Sequence, residues 1–365
     1  MTEQASGKIL KAAVIGTGKI SEQHLRFLSS TPSVKLVGVC DLSPALAAYA
    51  AKEFGAESAY TDAAKMLAQA KPDVVHVLTP PHTHRNLVNI CLSGGSHVIV
   101  EKPVAPTHPE FLELWELSRQ KDLRLVEDHN YRFNEPILAI EKLLADGELG
   151  EVREVDVRMA LAMRGKGSRY ADPNLPHPSH NLPAGVIHEY ITHLCYLTLR
   201  FMPEVDRVAA AWSKHADDTV FKHDDLDALV IGGPVHGRIR FTSHVSPDCF
   251  MITVRGTRGW AETDLFQPYL RVVKPRRGGQ QLSPLVNHWV NGWTLVRASV
   301  VGFRNKVMQH TPYEGLNTFL SITYSALATG TEPPVTFRDM DRAARLVDAL
   351  LEERNRIGSL PEVLR

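Results

Sequence analysis

Lys11-Ala12-Ala13-Val14-Ile15-Gly16-Thr17-Gly18-Lys19-Ile20-Ser21 is the stretch from which the rest of the chain is best read. Four apolar residues after Lys11 predict a short strand, the glycines predict a tight turn, and a helical pattern continues to Leu28. Gly16 permits the turn, and Gly18 lets the backbone approach a pyrophosphate. A helix N-terminus at this point offers unpaired N–H groups and the positive end of a dipole to phosphate oxygens. Ser21 stands at the third small position, where Gly or Ala is usual, and is still small enough for close helix–strand packing. Such a glycine pattern is a weak signal alone. It gains weight from Asp41, which follows a second predicted strand, Val34–Cys40, and lies 25 residues after Gly16. A carboxylate there accepts both adenine-ribose hydroxyls and repels a 2′-phosphate. No Arg follows in Asp41-Leu42-Ser43-Pro44, so NAD is expected in preference to NADP. The competing reading is an ordinary turn and a helix-capping Asp.

Outward from this unit, Pro44 begins a helix to about Phe54, and Asp73–Leu78, Ser96–Val100 and Leu123–Glu127 are further short apolar runs. Helical patterns lie between them at about His84–Leu92 and His108–Arg119. Strands alternating with helices predict βαβ units and a parallel sheet covered on both faces. After about Gly150 the pattern becomes strand-rich: Glu151–Met163, Arg207–Lys214, Leu226–Ile231, Gly237–Ser246, Phe250–Arg255 and Gly259–Asp264. Turns such as Gly232-Gly233-Pro234 suit antiparallel hairpins. A Pro- and His-rich loop, Arg164–Pro183, precedes a helix from about Gly185 to Phe201, and two helices near Tyr313–Thr329 and Arg338–Arg354 close the chain. The expected fold is α/β: a doubly wound Rossmann domain over residues 1–130, then an α+β domain over 131–365. The second is built on an open, mostly antiparallel sheet, with the closing helices packing back.

A chain of 365 residues suits two domains, and its 41 basic and 41 acidic residues remove any electrostatic case for nucleic-acid or anionic-membrane binding. The N-terminus lacks the pattern of a secretion signal, and no apolar segment approaches the roughly 20 residues of a membrane span. Cys40, Cys91, Cys195 and Cys249 form no CxxC pair, which favours buried free thiols and a cytoplasmic location.

Glu101-Lys102-Pro103 follows the strand Ser96–Val100. Open parallel sheets bind ligands outside the carboxyl ends of their strands, so this tripeptide is expected at the cofactor crevice. Pro103 restricts Lys102 to extended angles, and a lysine in a partly dry pocket serves as proton donor or acceptor. An ordinary surface lysine is the competing reading.

Gly16-Thr17-Gly18-Lys19-Ile20…His24, Thr79-Pro80-Pro81…His84, Glu101-Lys102-Pro103 and Asn130-Tyr131-Arg132-Phe133 occur in that order. On these motifs the chain resembles the Gfo/Idh/MocA oxidoreductase family, which includes glucose–fructose oxidoreductase and inositol dehydrogenase. The resemblance spans nearly the whole chain. It implies an N-terminal Rossmann domain and a C-terminal domain whose open sheet often forms oligomer contacts, hence a homodimer or homotetramer. It further implies an NAD site made by Gly16, Gly18, Lys19, Ile20, Asp41, Thr79, Pro80, His84, Glu101, Lys102 and Asn130. A sugar-like substrate is expected at Lys102, Tyr131, Arg132, Glu189 and His193.

The family's other signature resembles G-x-x-x-D-x-G-x-H, and here the stretch is Gly185-Val186-Ile187-His188-Glu189-Tyr190-Ile191-Thr192-His193. Glu189 and His193, four apart, share a helix face, and a carboxylate beside an imidazole orients it and raises its pKa. By resemblance His193 transfers the proton and, with Lys102 and Glu189, makes the catalytic set. Glu189 departs from the family's Asp by one methylene, and Ile191 replaces a small residue. His188 and His193 are five apart, about 140° around a helix, so a shared zinc ion is not expected and no metal site is assigned.

The expected reaction is hydride transfer between nicotinamide and a secondary alcohol or ketone carbon of a sugar, cyclitol or sugar derivative. The alternatives are a redox-neutral NAD-using sugar enzyme (epimerase, glycosidase or sugar–sugar oxidoreductase) and a non-catalytic regulator. Among weaker signals, Arg164-Gly165-Lys166-Gly167-Ser168-Arg169 reads as a solvated loop, or as a contact for a substrate phosphate or carboxylate. Lys274–Gly279 reads as an exposed hairpin turn and the acidic run Asp217…Asp227 as a solvated connection. His24 is read as a packing residue, His177 and His180 as loop or pocket residues, and Trp212, Trp260, Trp289 and Trp293 as a sheet face or subunit interface.

Overall fold

The computed structural model describes residues 9–356 apart from 166, 169, 173, 175–176, 218–219, 277–278 and 308–313. In the first unit, β1 (Leu10–Ile15) leads through a glycine turn into α1 (Ser21–Ser30), then β2 (Val34–Cys40), α2 (Pro44–Phe54) and β3 (Ala59–Tyr60). The chain continues as α3 (Ala63–Ala70), β4 (Val74–Val77), α4 (His84–Ser93), β5 (His97–Val100), α5 (His108–Gln120) and β6 (Leu125–Glu127). The six strands run in the order β3-β2-β1-β4-β5-β6, all parallel. Strand order reverses at β1/β4, the switch point at which open α/β sheets hold ligands. Helices cover both faces, which is why Ala12, Ala13, Val14 and Ile15 are all buried and β1 reads as a continuous apolar run. β4 and β5 begin after Asp73 and Ser96, whose side chains bond neighbouring backbone at Lys11 N–H (2.8 Å) and Pro72 C=O (2.7 Å). Local signals delimit α2: Ser43 caps its start, Pro44 occupies its first turn, and Gly55 ends it at φ 71°.

The second unit comprises α6 (Glu135–Ala145), β7 (Val152–Ala160), α7 (Val186–Phe201), β8 (Arg207–Ser213), β9 (Asp225–Gly232), β10 (Val235–Thr242), β11 (Cys249–Gly256), β12 (Trp260–Asp264), β13 (Arg271–Val273) and α8 (Gly279–Val307). Its seven strands run β13-β12-β11-β7-β10-β9-β8, antiparallel except where β7 meets β10. On β10, Val235, Gly237, Ile239 and Phe241 are buried while His236, Arg238 and Arg240 are exposed. That alternation marks a sheet covered on one face, here by α7. The helix approaches so closely that a Cβ on Gly237 would lie 2.6 Å from Met202 Sδ.

Several expectations need correction here. Lys274–Arg276 leave β13 and Gly279 opens α8, so this is not a hairpin turn; Arg277 and Gly278 lie outside the described residues. Trp289 and Trp293 stand on α8 and not on a sheet, whereas Trp212 and Trp260 are in β8 and β12. The helix was hidden by Pro284, Gly292, Gly302 and repeated valines, all poor helix formers. Arg164 is not solvated loop: it pairs with fully buried Asp224 at 2.8 Å and lies 4.2 Å from the Phe221 ring centroid. Lys166 and Arg169 lie outside the described residues. Within the acidic run, Asp224 also accepts the His215 and Ala216 N–H groups, so it is a buried anchor and not a solvated connection.

Two closing helices, α9 (Glu314–Thr329) and α10 (Phe337–Arg356), complete the chain. The first unit is residues 1–130 together with Leu316–Ala344, and the second is Tyr131–Gly315 with Arg345 onward. The sequence pattern places all of 131–365 in the second domain, and side-chain contacts explain the difference. Tyr324 packs on Phe27 (5.8 Å between centroids), Phe337 stacks on Trp115 (4.9 Å), and His108 pairs with Asp341 at 2.7 Å. The later part of α10 belongs with the second unit, where Trp212 Nε1 donates to Leu350 C=O at 3.0 Å. Cys40, Cys91 and Cys195 are buried free thiols, Cys249 is a half-buried one, and no described helix is long and apolar enough to cross a membrane.

Candidate active site

In the first unit the glycine turn has the shape of a phosphate cradle. Gly16 has φ +95°, and a Cβ there would lie 2.7 Å from Leu78 C=O and 2.8 Å from Thr79 Cγ2. Gly18 is exposed, and a Cβ there would meet nothing within 4 Å. Ser21 is buried and donates its hydroxyl to Gly18 C=O at 2.6 Å, so the third small position is filled as close packing requires. Lys19 is exposed and Ile20 half-buried at the start of α1. Asp41 Oδ2 accepts both Thr17 N–H (2.9 Å) and Thr17 Oγ1–H (2.6 Å), and its Oδ1 accepts Ser43 N–H (2.9 Å). Burial opposes ionisation of Asp41, but these hydrogen bonds outweigh it and hold the carboxyl below its usual range. The carboxylate thus ties the turn to the start of α2. Open space at Gly18 and an ionised Asp41 fit a dinucleotide's pyrophosphate and ribose.

The loops after β4 and β5 are joined by His84. Its buried ring lies between Thr79 C=O (2.6 Å at Nε2) and Pro103 C=O (2.7 Å at Nδ1). Burial pushes its pKa down, and a neutral ring donates to only one of those carbonyls at a time. Thr79 Oγ1 is 2.6 Å from Thr83 Oγ1, with Pro80 exposed between them. Glu101 and Lys102 are half-buried, and the Lys102–Pro103 peptide is cis. Val104 N–H donates to Glu127 Oε1 (2.9 Å), which anchors the segment to β6, and Asn130 is buried beyond that strand.

His24, expected only to pack, heads a buried polar chain. Its Nε2 faces Asp128 Oδ2 at 3.5 Å and Glu101 Oε1 at 3.9 Å, and its Nδ1 is 2.8 Å from His76 Nδ1. His76 Nε2 is in turn 2.9 Å from the Tyr324 hydroxyl. Burial alone lowers the His24 pKa, but the hydrogen-bonding and charge of Asp128 and Glu101 outweigh it, raising the ring to about 8. Burial pushes His76 well below its ordinary value and lifts Asp128 to about 6. One proton assignment suits every contact: His24 as imidazolium donates Nδ1–H to neutral His76, which donates Nε2–H to Tyr324. The sequence signal available was His24 one helix turn beyond Ile20, but its partners lie 52 or more residues away in the chain.

In the second unit, α7 carries His193 and Glu189. His193 is buried; its Nδ1 is 2.8 Å from the Tyr196 hydroxyl, which also accepts Tyr131 N–H at 3.3 Å. The half-buried Tyr131 ring meets His193 edge-on at 4.9 Å, and Phe250 packs against Tyr131 at 5.0 Å. Arg132 is buried, its guanidinium 6.0 Å from the Phe133 ring centroid. Glu189 Oε2 lies 3.7 Å from His177 Nδ1, and Tyr170 bonds Tyr190 at 2.7 Å, so the preceding loop covers the half-buried Glu189/Tyr190 side of α7. Within that loop His180 Nε2 donates to Tyr170 C=O at 2.7 Å. Tyr196, which holds the His193 ring, was missed: it lies three residues past His193, one helix turn on, and nothing in its sequence context singled it out.

Among the described residues, two groups of three have potential metal-ligand atoms within 4.8 Å of one another: His24, Glu101 and Asp128, and His215, Asp225 and His244. A cleft of about 1080 Å³ in the second unit, between β13 and α8, includes Arg271, Arg276 and His288 and none of the expected site residues.

Residues 10–129 match the model of the Gfo/Idh/MocA oxidoreductase family, described as an NAD-binding Rossmann fold. Over that N-terminal part the chain is similar to Gfo/Idh/MocA oxidoreductases. The matched domain is an NAD-binding Rossmann fold, and the relatives it matches are named oxidoreductases and dehydrogenases. An uncharacterized oxidoreductase of Schizosaccharomyces pombe is 27% identical over 261 residues, 68% of this chain and 69% of that protein. D-glucoside 3-dehydrogenase of Escherichia coli is 31% identical over 144 residues, 39% of this chain and 41% of the relative. An Agrobacterium radiobacter oxidoreductase, solved with NAD+, L-tartaric acid and magnesium, shares the fold at a TM-score of 0.77 and 18% identity, covering 95% of this chain and 97% of that one.

Proposed function

We propose that this protein is an NAD-dependent dehydrogenase or ketoreductase acting on a secondary alcohol or ketone carbon of a sugar, cyclitol or sugar derivative. The observation that carries the reading is buried His193, held at Nδ1 by the Tyr196 hydroxyl, in a chain that also has a glycine cradle for NAD. A relative whose name states a D-glucoside substrate supports the sugar class. Bound NAD supplies the hydride acceptor. With Nδ1–H donated to Tyr196, His193 Nε2 takes the hydroxyl proton, and Lys102 is the alternative acceptor for it. Glu189 and Arg132 orient the remaining hydroxyls, and Tyr131 holds the His193 ring upright. Acid–base help of this kind is worth about 10²–10⁴-fold in rate.

The test is absorbance of reduced nicotinamide while the protein is screened with NAD, then NADP, against sugars, inositols, uronates and sugar nucleotides. The expected result is a substrate-dependent rise with NAD that falls at least ~100-fold in Lys102→Ala and His193→Ala while NAD still binds. A flat trace with every substrate would overturn the dehydrogenase reading, and NAD(H) released on denaturation would then point to a redox-neutral reaction. Full activity in both variants would remove the two residues from the mechanism.

A further inference from the structure

α8 turns its polar face inward and its apolar face outward. Asn291 is buried; its Oδ1 accepts Val272 N–H at 3.0 Å and its Nδ2 donates to Val272 C=O at 2.9 Å. One turn earlier, buried Asn287 donates to Lys274 C=O at 2.9 Å and accepts from Arg276 Nε at 2.9 Å. The two amides thus cap the free edge of β13, where an unpaired strand would otherwise present its backbone. On the opposite side, Leu285, Trp289, Trp293, Val296, Val300 and Phe303 are 66, 77, 68, 55, 65 and 72% exposed. At 3.6 residues per turn these six fall within a strip about 80° wide, centred about 180° from the asparagines. With Leu282, which is 52% exposed, the strip runs ~30 Å and bares on the order of 1,000 Å² of side chain. A typical monomer's largest apolar patch is about 300–600 Å².

We propose that this strip is a self-association surface, on which two copies of the chain pair through antiparallel α8 helices about a twofold axis near Gly292. Area, charge and register each favour a second copy. A stable dimer buries about 800 Å² on each partner, which the strip supplies. α8 has no acidic residue, and its basic ones, Arg297, Arg304 and Lys306, are confined to its C-terminal part. Antiparallel pairing opposes the helix dipoles and keeps Arg297 and Arg304 away from their own copies, whereas parallel pairing stacks Arg on Arg. The axis matches Leu282 with Phe303, Leu285 with Val300 and Trp289 with Val296, so large side chains meet smaller ones. The strip is distinct in character from the exposed face of β9 and β10, which is polar: Arg238 and Arg240 pair there with Asp227 at 2.7 and 3.2 Å. A membrane surface fits less well, since α8 lacks the basic-rich polar face that accompanies interfacial helices.

Sedimentation velocity on the full-length protein with NAD, from nanomolar to tens of micromolar, tests the proposal. The wild type is expected to be dimeric or a higher multiple of the dimer. Trp289→Glu and Val296→Lys should each weaken the pairing at least ~100-fold with circular dichroism and NAD binding unchanged. Mixing the two variants should restore it, because the introduced carboxylate and amine face each other across the axis. A monomeric wild type, association that neither variant weakens, or a mixture that stays dissociated would overturn the proposal. So would a monomer that co-sediments with phosphatidylserine vesicles. None of these outcomes depends on catalytic activity, so the interface and the proposed reaction succeed or fail separately.

Discussion

Gly16 and Gly18 look alike in the sequence but differ in what a methyl group would meet. At Gly16 it would strike Leu78 C=O at 2.7 Å from a backbone at φ +95°, while at Gly18 it would meet nothing within 4 Å. Gly16→Ala is therefore expected to cost about 1–3 kcal/mol of stability and to lose NAD binding with it. Gly18→Ala should leave stability within about 0.5 kcal/mol and still weaken NAD at least ~10-fold, because the methyl occupies the pyrophosphate's approach. Calorimetric unfolding and NAD titration of the two variants separate the cases. His24 makes a prediction about pH. Its pKa is raised from 6.5 to about 8 in the folded state. The stability it adds is therefore complete below pH 6.5 and lost as pH rises through about 8. A shift of this size is on the order of 2 kcal/mol. The unfolding free-energy gap between wild type and His24→Gln should shrink by that amount across the window. A gap that stays constant from pH 6 to about 9 would contradict the imidazolium assignment.

At the scale of elements, α7 and α8 show two ways a helix is specified. α7 is buried nearly all round, and its apolar sequence makes it visible as a helix even without a side-chain cap at Gly185. α8 contains Pro284, two interior glycines and several valines, and its stability comes from docking on β13. Asn291→Leu keeps the volume but leaves Val272 N–H and C=O without that amide. The expected cost is about 1–3 kcal/mol, seen as faster amide exchange over Arg271–Val273 and α8 with β1 to β6 unaffected. Equal protection in wild type and variant would show that the edge is held by other groups.

At the scale of the molecule, the dinucleotide-binding unit is completed by residues far along the chain. Leu316–Ala344 belongs with residues up to Asn130, and through it Tyr324 reaches His76 and Phe337 reaches Phe111 and Trp115. A chain stopped before Glu314 retains every glycine-turn and Glu101-Lys102-Pro103 residue. It is nevertheless expected to lose NAD binding and cooperative unfolding together, because several buried aromatic contacts at once are uncovered. Titration calorimetry and thermal unfolding of the truncated chain check this, and undiminished NAD affinity would refute it.

What was legible in the sequence is what rests on neighbours along the chain. The strand–glycine–helix unit, Asp41 at the end of β2, the tripeptide after β5 and the placement of His193 on α7 each depend on backbone geometry within a few residues, and pattern alone reveals that. The mostly antiparallel second sheet was readable for the same reason, from alternation and short turns. What stayed hidden depends on partners brought together by folding. Arg164 meets Asp224 across 60 residues and His76 meets Tyr324 across 248. Once withdrawn from water, such polar groups must find one another, and one-dimensional spacing does not encode which do. The outward apolar face of α8 belongs with them: an apolar residue in a sequence declares that it shuns water, and only the tertiary structure decides which side of the helix is already occupied.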